Sequence, residues 1–311
     1  MSYYLPPYGI LTGAAPLQDE PPRAWLTSNP GKSTADWIAF VDRLAAELGG
    51  SLWPVFRAGA SPAGVEIDAR VDRLLEADFR MIGALQHERI YDRMPGAAAG
   101  PGSLDHKQLF ALEDAGRLGE SLGQYDDTFE YSAARLLPAL ILNGLTDTAG
   151  SFVLQMKKRH QRLRAYQAAM LLPQYGADFF HIEADSAQTP AFISGHCLQS
   201  LMGMAAAALA LAGVHYTVTP QQRLALMQYA SDIGDRRVFA GVHYPSDNLG
   251  SWIAALRLCA EITDGRQLGQ FVAGAIPLSA IHQRMQAQMR EPDSPYAAAM
   301  TRLQELIDAN A

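Results

Sequence analysis

The stretch from Leu198 to Val214 is apolar on every side, rich in alanine, and entered through Phe192-Ile193-Ser194-Gly195-His196. Alanine and leucine are strong helix formers, so the stretch reads as a helix. A helix that is apolar all round offers no face to water and must be buried, in a protein core or in a bilayer. Its length is near the lower limit for a bilayer span, and no set of similar segments accompanies it. The expectation is a core helix wrapped by other helices, with no integral membrane association.

The remaining pattern supplies those helices. Apolar residues at 37, 38, 41, 44, 45 and 48 predict a helix from Thr34 that stops at Gly49. Further helical patterns run from about Val65 to Ile90, His106 to Leu118, Thr128 to Leu145, Thr148 to Leu172, Pro220 to Arg237, Ser246 to Ile262, 266 to 290 and 295 to 309. No run of alternating strand residues appears. The fold class expected is all-α, a single helical domain over 34–311 behind an irregular Pro- and Gly-rich arm at 1–33. Pro/Gly/Ala-rich residues 94–102 and residues 173–193 read as loops.

With 311 residues and 49% hydrophobic residues the chain can fill a sizeable core. A net charge of -7 and a pI near 5.6 argue against a nucleic-acid or anionic-membrane surface, so any anion site must be a local cationic pocket. Cys197 and Cys259 lie in apolar helical patterns and read as buried free thiols. Met1-Ser2-Tyr3-Tyr4-Leu5-Pro6-Pro7 has no cationic region followed by an apolar run. As given, this points to the cytoplasm; a removed leader would point to the periplasm or beyond. An all-α chain with this much apolar surface is also a candidate for a homo-oligomer.

Three short patterns could carry chemistry. Lys157 and Arg164 are seven apart, which on a continuous helix places both cations on one face. Ser194-Gly195-His196 stands at a helix start, where unpaired N–H groups favour an anion. In Arg237-Val-Phe-Ala-Gly-Val-His243-Tyr-Pro-Ser-Asp247, the carboxylate lies one turn beyond His243. There it can hold one ring nitrogen and leave the other to act as nucleophile or ligand. Taken singly, a solvated basic face and a capping or packed core histidine explain the first two better, and a capped helix with a satisfied histidine explains the third equally well.

Taken in order, they resemble the signature of the type 2 phosphatidic acid phosphatase (PAP2) superfamily: Lys-x6-Arg-Pro, Pro-Ser-Gly-His and Ser-Arg-x5-His-x3-Asp. That superfamily includes bacterial acid phosphatases, lipid phosphatases and vanadium-dependent haloperoxidases. Here the motifs read Lys157-x6-Arg164-Ala165, Ile193-Ser194-Gly195-His196 and Arg236-Arg237-x5-His243-x3-Asp247. Ala165 and Ile193 replace prolines, which would let the first helix continue and would alter the approach to Ser194. Arg236 replaces serine and is either a solvated neighbour or an extra cation at the rim.

The resemblance implies a helical bundle with Lys157, Arg164, Ser194, Gly195 and Arg237 around a phosphate. It also implies that His243 attacks phosphorus, oriented by Asp247, and that His196 acts as general acid and base. The implied substrate is a small water-soluble phosphate ester or inorganic phosphate, with no metal and no cofactor. The alternative is a haloperoxidase that holds vanadate on His243. A third option is a catalytically silent anion-binding module. Arg162 and His160 either flank the pocket or lie on the surface, and His87, His106, His181, His215 and His282 read as structural or exposed.

Overall fold

The computed structural model describes residues 19–52, 69–95, 102–126, 146–160, 162–171, 173–176, 179–184, 187, 189–213, 217–291 and 293–311. The described helices are α1 (Arg23–Ser28), α2 (Thr34–Leu52), α3 (Ala69–His87), α4 (His106–Asp114), α5 (Leu118–Leu122), α6 (Thr146–His160) and α7 (Ala165–Leu171). They continue with α8 (Pro173–Gly176), α9 (Gly195–Gly213), α10 (Pro220–Phe239), α11 (Pro245–Cys259), α12 (Gly265–Ala275), α13 (Ala280–Gln288) and α14 (Ala297–Asn310). No strand occurs among the described residues. The fold is all-α.

The apolar helix sits where its composition demands. α9 packs against α6, α10, α11 and α12, and α11 in turn packs against α2, α3, α12 and α14. One contiguous apolar core runs from Trp25 to Ile307. α9 is also the one described helix long and apolar enough to cross a membrane, and 67% of that window is buried inside the protein. Cys197 and Cys259 are free and buried in this core.

Local chemistry sets the ends. Thr219 and Gln222 form a reciprocal capping box behind Pro220, and Asp105 and Gln108 do the same for α4. At α11, Pro245 takes the first helical position and Asp247 accepts from the Tyr244 backbone N–H at 2.9 Å. The expected helix at 106–118 ends early because Gly116 adopts φ 73° and the Arg117 N–H turns back to the Leu112 carbonyl. The expected helix at 266–290 breaks into α12 and α13. Pro277 and Ser279 interrupt it, and Asp235 of α10 binds the Ser279 hydroxyl at 2.7 Å and the Ala280 N–H at 2.7 Å.

Several expectations need correction. α2 runs through Gly49, which lies against the His160 ring. In the arm expected to be irregular, residues 23–28 are helical and Trp25 is fully buried; residues 1–18 lie outside the described residues. So do the helix expected at 128–145 and most of the loop at 94–102. Within the loop at 173–193, Pro173–Gly176 is a short helix. The largest change concerns the helix expected from Thr148 to Leu172. α6 ends at His160, residues 162–164 are non-helical, and α7 starts at Ala165. The new start is stabilised by Gln167, whose side chain accepts from the Arg164 N–H at 2.9 Å, while the Arg162 carbonyl accepts from Ala191 N–H at 2.8 Å. Lys157 and Arg164 therefore do not share a helix face.

Gly250 on α11 makes room for the turn before α9. A Cβ there would lie 2.3 Å from Phe192 Cε2 and 3.3 Å from Ile193 Cγ2. Gly250→Ala is expected to lower stability by about 1–3 kcal/mol through overpacking. Urea denaturation measures this, and phosphate affinity should fall with it because Phe192 leads directly to Ser194.

Candidate active site

Three separate elements bring the motif residues together. Lys157 stands in the last turn of α6 and is 4% exposed; its ammonium donates to the Pro190 carbonyl and, at 3.2 Å, to the Ala191 carbonyl. It thereby holds the segment that leads into Ser194. Arg164, on the break between α6 and α7, donates from Nε to the Thr189 carbonyl at 2.7 Å and from Nη2 to the Thr189 hydroxyl at 3.2 Å. Its Nη1 reaches the Val242 carbonyl at 3.2 Å and His243 Nε2 at 2.7 Å. The break is what lets Arg164 reach His243.

His243 is buried, and its Nδ1 lies 3.0 Å from Asp247 Oδ2. A guanidinium has only donors, so His243 Nε2 must present its lone pair to Arg164, and the ring proton must sit on Nδ1, facing Asp247. This tautomer is dictated by the partners. The hairpin between α10 and His243 depends on Gly241, which has φ 71° and whose added Cβ would lie 2.5 Å from the Phe180 carbonyl oxygen.

Ser194 and Gly195 form the entry to α9. The Ser194 N–H points at the Asp247 carbonyl at 3.5 Å, and the Ser251 hydroxyl donates towards the Ser194 and Asp247 carbonyls at 3.0 and 2.8 Å. These contacts clamp the α9 start to the α11 start. The Ser194 hydroxyl is fully buried and has no hydrogen-bond partner among the described residues. A buried polar group left in that state is costly, which makes it a natural donor to an incoming oxygen.

Arg237 near the end of α10 is buried, stacks on Phe110 with its guanidinium carbon 4.4 Å from the ring centre, and pairs with Asp114 at 3.2 Å. Phe110, Ala187, Ala240 and Val242 form a second, small apolar cluster beside it. Arg236 is neither solvated nor at a rim. It is buried in a fork with Glu113, at 2.9 and 2.5 Å, and its Nη1 meets the Tyr125 hydroxyl at 2.7 Å. His106 packs beside it and is structural.

The cations shape the titration of both histidines. Burial first, then Arg164, Lys157 and Arg237, hold His243 well below the ordinary histidine value. His196 remains partly exposed, and enclosure followed by Arg237, Arg164 and Lys157 depresses it in the same way. Burial and then Arg164 pull Lys157 well below its usual range, and burial brings Arg164 down to about 10. Burial leads each of these shifts, and the neighbouring cations add to it. Asp247 offsets part of this at Lys157 and Arg164, and Asp114 does so at Arg237.

Two residues behind Asp247 complete the arrangement. Arg162 is buried and donates to Asp247 Oδ1 at 2.6 Å and to Asp78 Oδ2 at 3.1 Å. Sequence patterns leave Asp78 unremarked, because α3 lies far upstream; Arg162 is visible only as a cation next to the first motif. His160 is buried against Phe192. Among the described residues no group of three or more His, Cys, Asp or Glu side chains could hold a metal ion.

Residues 134–267 match the family model of the PAP2 superfamily. Neither a curated protein nor a solved structure matches the chain.

Proposed function

Since this chain belongs to the PAP2 superfamily, whose activities are phosphatase-type or haloperoxidase-related, we propose that it is a phosphoric monoester hydrolase acting through a phosphohistidine on His243. The observation that carries this is the line Asp247–His243–Arg164. A neutral imidazole has its proton held by a carboxylate and its lone pair facing Arg164 Nη1, which in the proposed reaction turns to the phosphoryl oxygens and releases that lone pair for attack. Such a nitrogen is a nucleophile aimed at an electrophile that carries negative oxygens.

In the proposed reaction a phosphate dianion is held by Lys157, Arg164 and Arg237, by the Ser194 hydroxyl, and by the Gly195 N–H at the start of α9. His243 Nε2 donates its lone pair to phosphorus as the ester P–O bond breaks, and the departing alkoxide takes a proton from His196. The phosphorylated ring is cationic and is stabilised by Asp247 across Nδ1. His196, now neutral, removes a proton from water; the water oxygen attacks phosphorus, the P–N bond breaks and inorganic phosphate leaves. Three side-chain cations neutralise the phosphoryl oxygens, so the scheme uses no metal. α9 carries the Ser194 turn and is largely packed inside the protein, which favours a water-soluble ester over a bilayer lipid.

His196 sets the pH response. In the free protein its acid form is disfavoured by burial and the three cations, so the protonated fraction falls as pH rises and kcat/KM should have a descending limb on the acid side. A bound dianion offsets the cations, so the limb in kcat should lie at higher pH. His196→Ala should lower kcat by roughly 10²–10⁴, leave phosphate inhibition intact and remove this limb. Rate profiles of both proteins with p-nitrophenyl phosphate measure it. A descending limb that persists in His196→Ala would assign it to another group.

A further inference from the structure

We propose that Arg162 and Asp78 are positioning residues for the His243 reaction: Arg162 ties the carboxylate that orients the nucleophile to a second buried carboxylate on α3. The inference rests on the phosphohistidine function above. Asp247 spends Oδ2 on His243 Nδ1 and the Tyr244 N–H, at 3.0 and 2.9 Å. Its other oxygen, Oδ1, receives Arg162 Nη1 at 2.6 Å. Without that contact the carboxylate could turn about its own bond and swing the imidazole with it.

Arg162 is itself fixed on several sides. Its guanidinium carbon lies 3.6 Å from the centre of the Tyr244 ring, and Nη1 also meets the Ser246 hydroxyl at 3.2 Å. Nη2 reaches Asp78 Oδ2 at 3.1 Å. Asp78 in turn accepts from the Ser246 N–H at 3.1 Å, from the Ser246 hydroxyl, and from the Tyr296 hydroxyl at 2.9 Å. One carboxylate therefore joins α3, the start of α11 and the approach to α14, and passes that rigidity to Asp247 through a planar, doubly donating cation. Burying two carboxylates around one guanidinium is a poor source of stability, because desolvation offsets the attraction. What the arrangement supplies is orientation. Burial pushes Asp78 up to about 6, against the pull of Arg162 and of the Ser246 and Tyr296 hydrogen bonds.

Neither residue is placed against the phosphate, so the proposal predicts a split. Arg162→Gln should lower kcat about tenfold to a hundredfold, the range seen when partners of a site ligand are removed. KM and the inhibition constant for inorganic phosphate should stay within about twofold, and Arg162→Lys should recover part of the rate. Because Arg162 acts through Asp247, Arg162→Gln combined with Asp247→Asn should be no slower than Asp247→Asn alone. Losses that multiply, or phosphate inhibition that weakens in step with kcat, would overturn the proposal. If Arg162→Gln does not fold, Asp78→Asn keeps the guanidinium in place and should show a several-fold loss of kcat with the same non-additivity. A direct readout is independent of turnover: Arg164 and Asp247 keep the tautomer in both proteins, but the His243 Nδ1–H resonance should exchange with solvent several-fold faster in Arg162→Gln, where the carboxylate is free to turn. Unchanged exchange would sink the positioning role, whereas absence of any hydrolysis by the natural protein would sink the phosphatase function alone.

Discussion

His243→Ala is expected to bind inorganic phosphate and to lose hydrolysis by a factor on the order of 10⁴–10⁶, the loss typical when the nucleophile of a covalent mechanism is removed. Misfolding would not account for such a loss. Arg164 keeps its contacts to Thr189 and to the Val242 carbonyl, and Asp247 keeps the Tyr244 N–H and Arg162. The stability cost should be about 1–3 kcal/mol, the penalty for leaving buried partners of one ring unpaired. Phosphate binding should survive because Lys157, Arg237, Ser194 and Gly195 are untouched. Stopped kinetics with p-nitrophenyl phosphate, phosphate titration by calorimetry and a urea melt separate the three quantities.

Asp247→Asn should cost nearly as much in rate while changing almost no volume. The carboxylate answers three donors: His243 Nδ1–H, the Tyr244 N–H and Arg162. An amide has one oxygen and brings two donors of its own, so at least one of the three is left unmet. If the amide nitrogen faces His243, the ring proton moves to Nε2 and points at Arg164, and the lone pair is lost. A tautomer error of this kind in a histidine-carboxylate pair costs about 10⁴ in kcat, equivalent to roughly 5–6 kcal/mol of barrier. Phosphate affinity should change much less. A variant that retains more than about a tenth of the natural rate would show that the carboxylate does not set the tautomer.

Much of this site is legible in the sequence because its members are specified locally. Asp247 lies one helical turn from His243, so the pair exists wherever α11 starts at Pro245. Ser194, Gly195 and His196 are adjacent and owe their place to an apolar helix that can only be buried. The first motif was harder. Spacing alone puts Lys157 and Arg164 on one helix face, yet the helix breaks between them, since the Arg162 carbonyl and the Arg164 N–H find better partners in Ala191 and Gln167. No local propensity marks that break; tertiary contacts make it. The same holds for Arg236, whose burial depends on Glu113 of α4, and for Asp78, which reaches the site only through the packing of α3 on α11. Long-range ion pairs leave no periodic trace.

The most direct test of the central claim is to mix the protein with a 32P-labelled phosphomonoester, quench in alkali within the turnover time and map the label by mass spectrometry. Phosphohistidine survives alkali and is lost in acid. The mechanism predicts such a label on His243, present in the natural protein, enriched in His196→Ala and absent from His243→Ala. A label on any other residue, hydrolysis that proceeds with no labelled protein, or vanadate- and peroxide-dependent bromide oxidation in place of hydrolysis would contradict it.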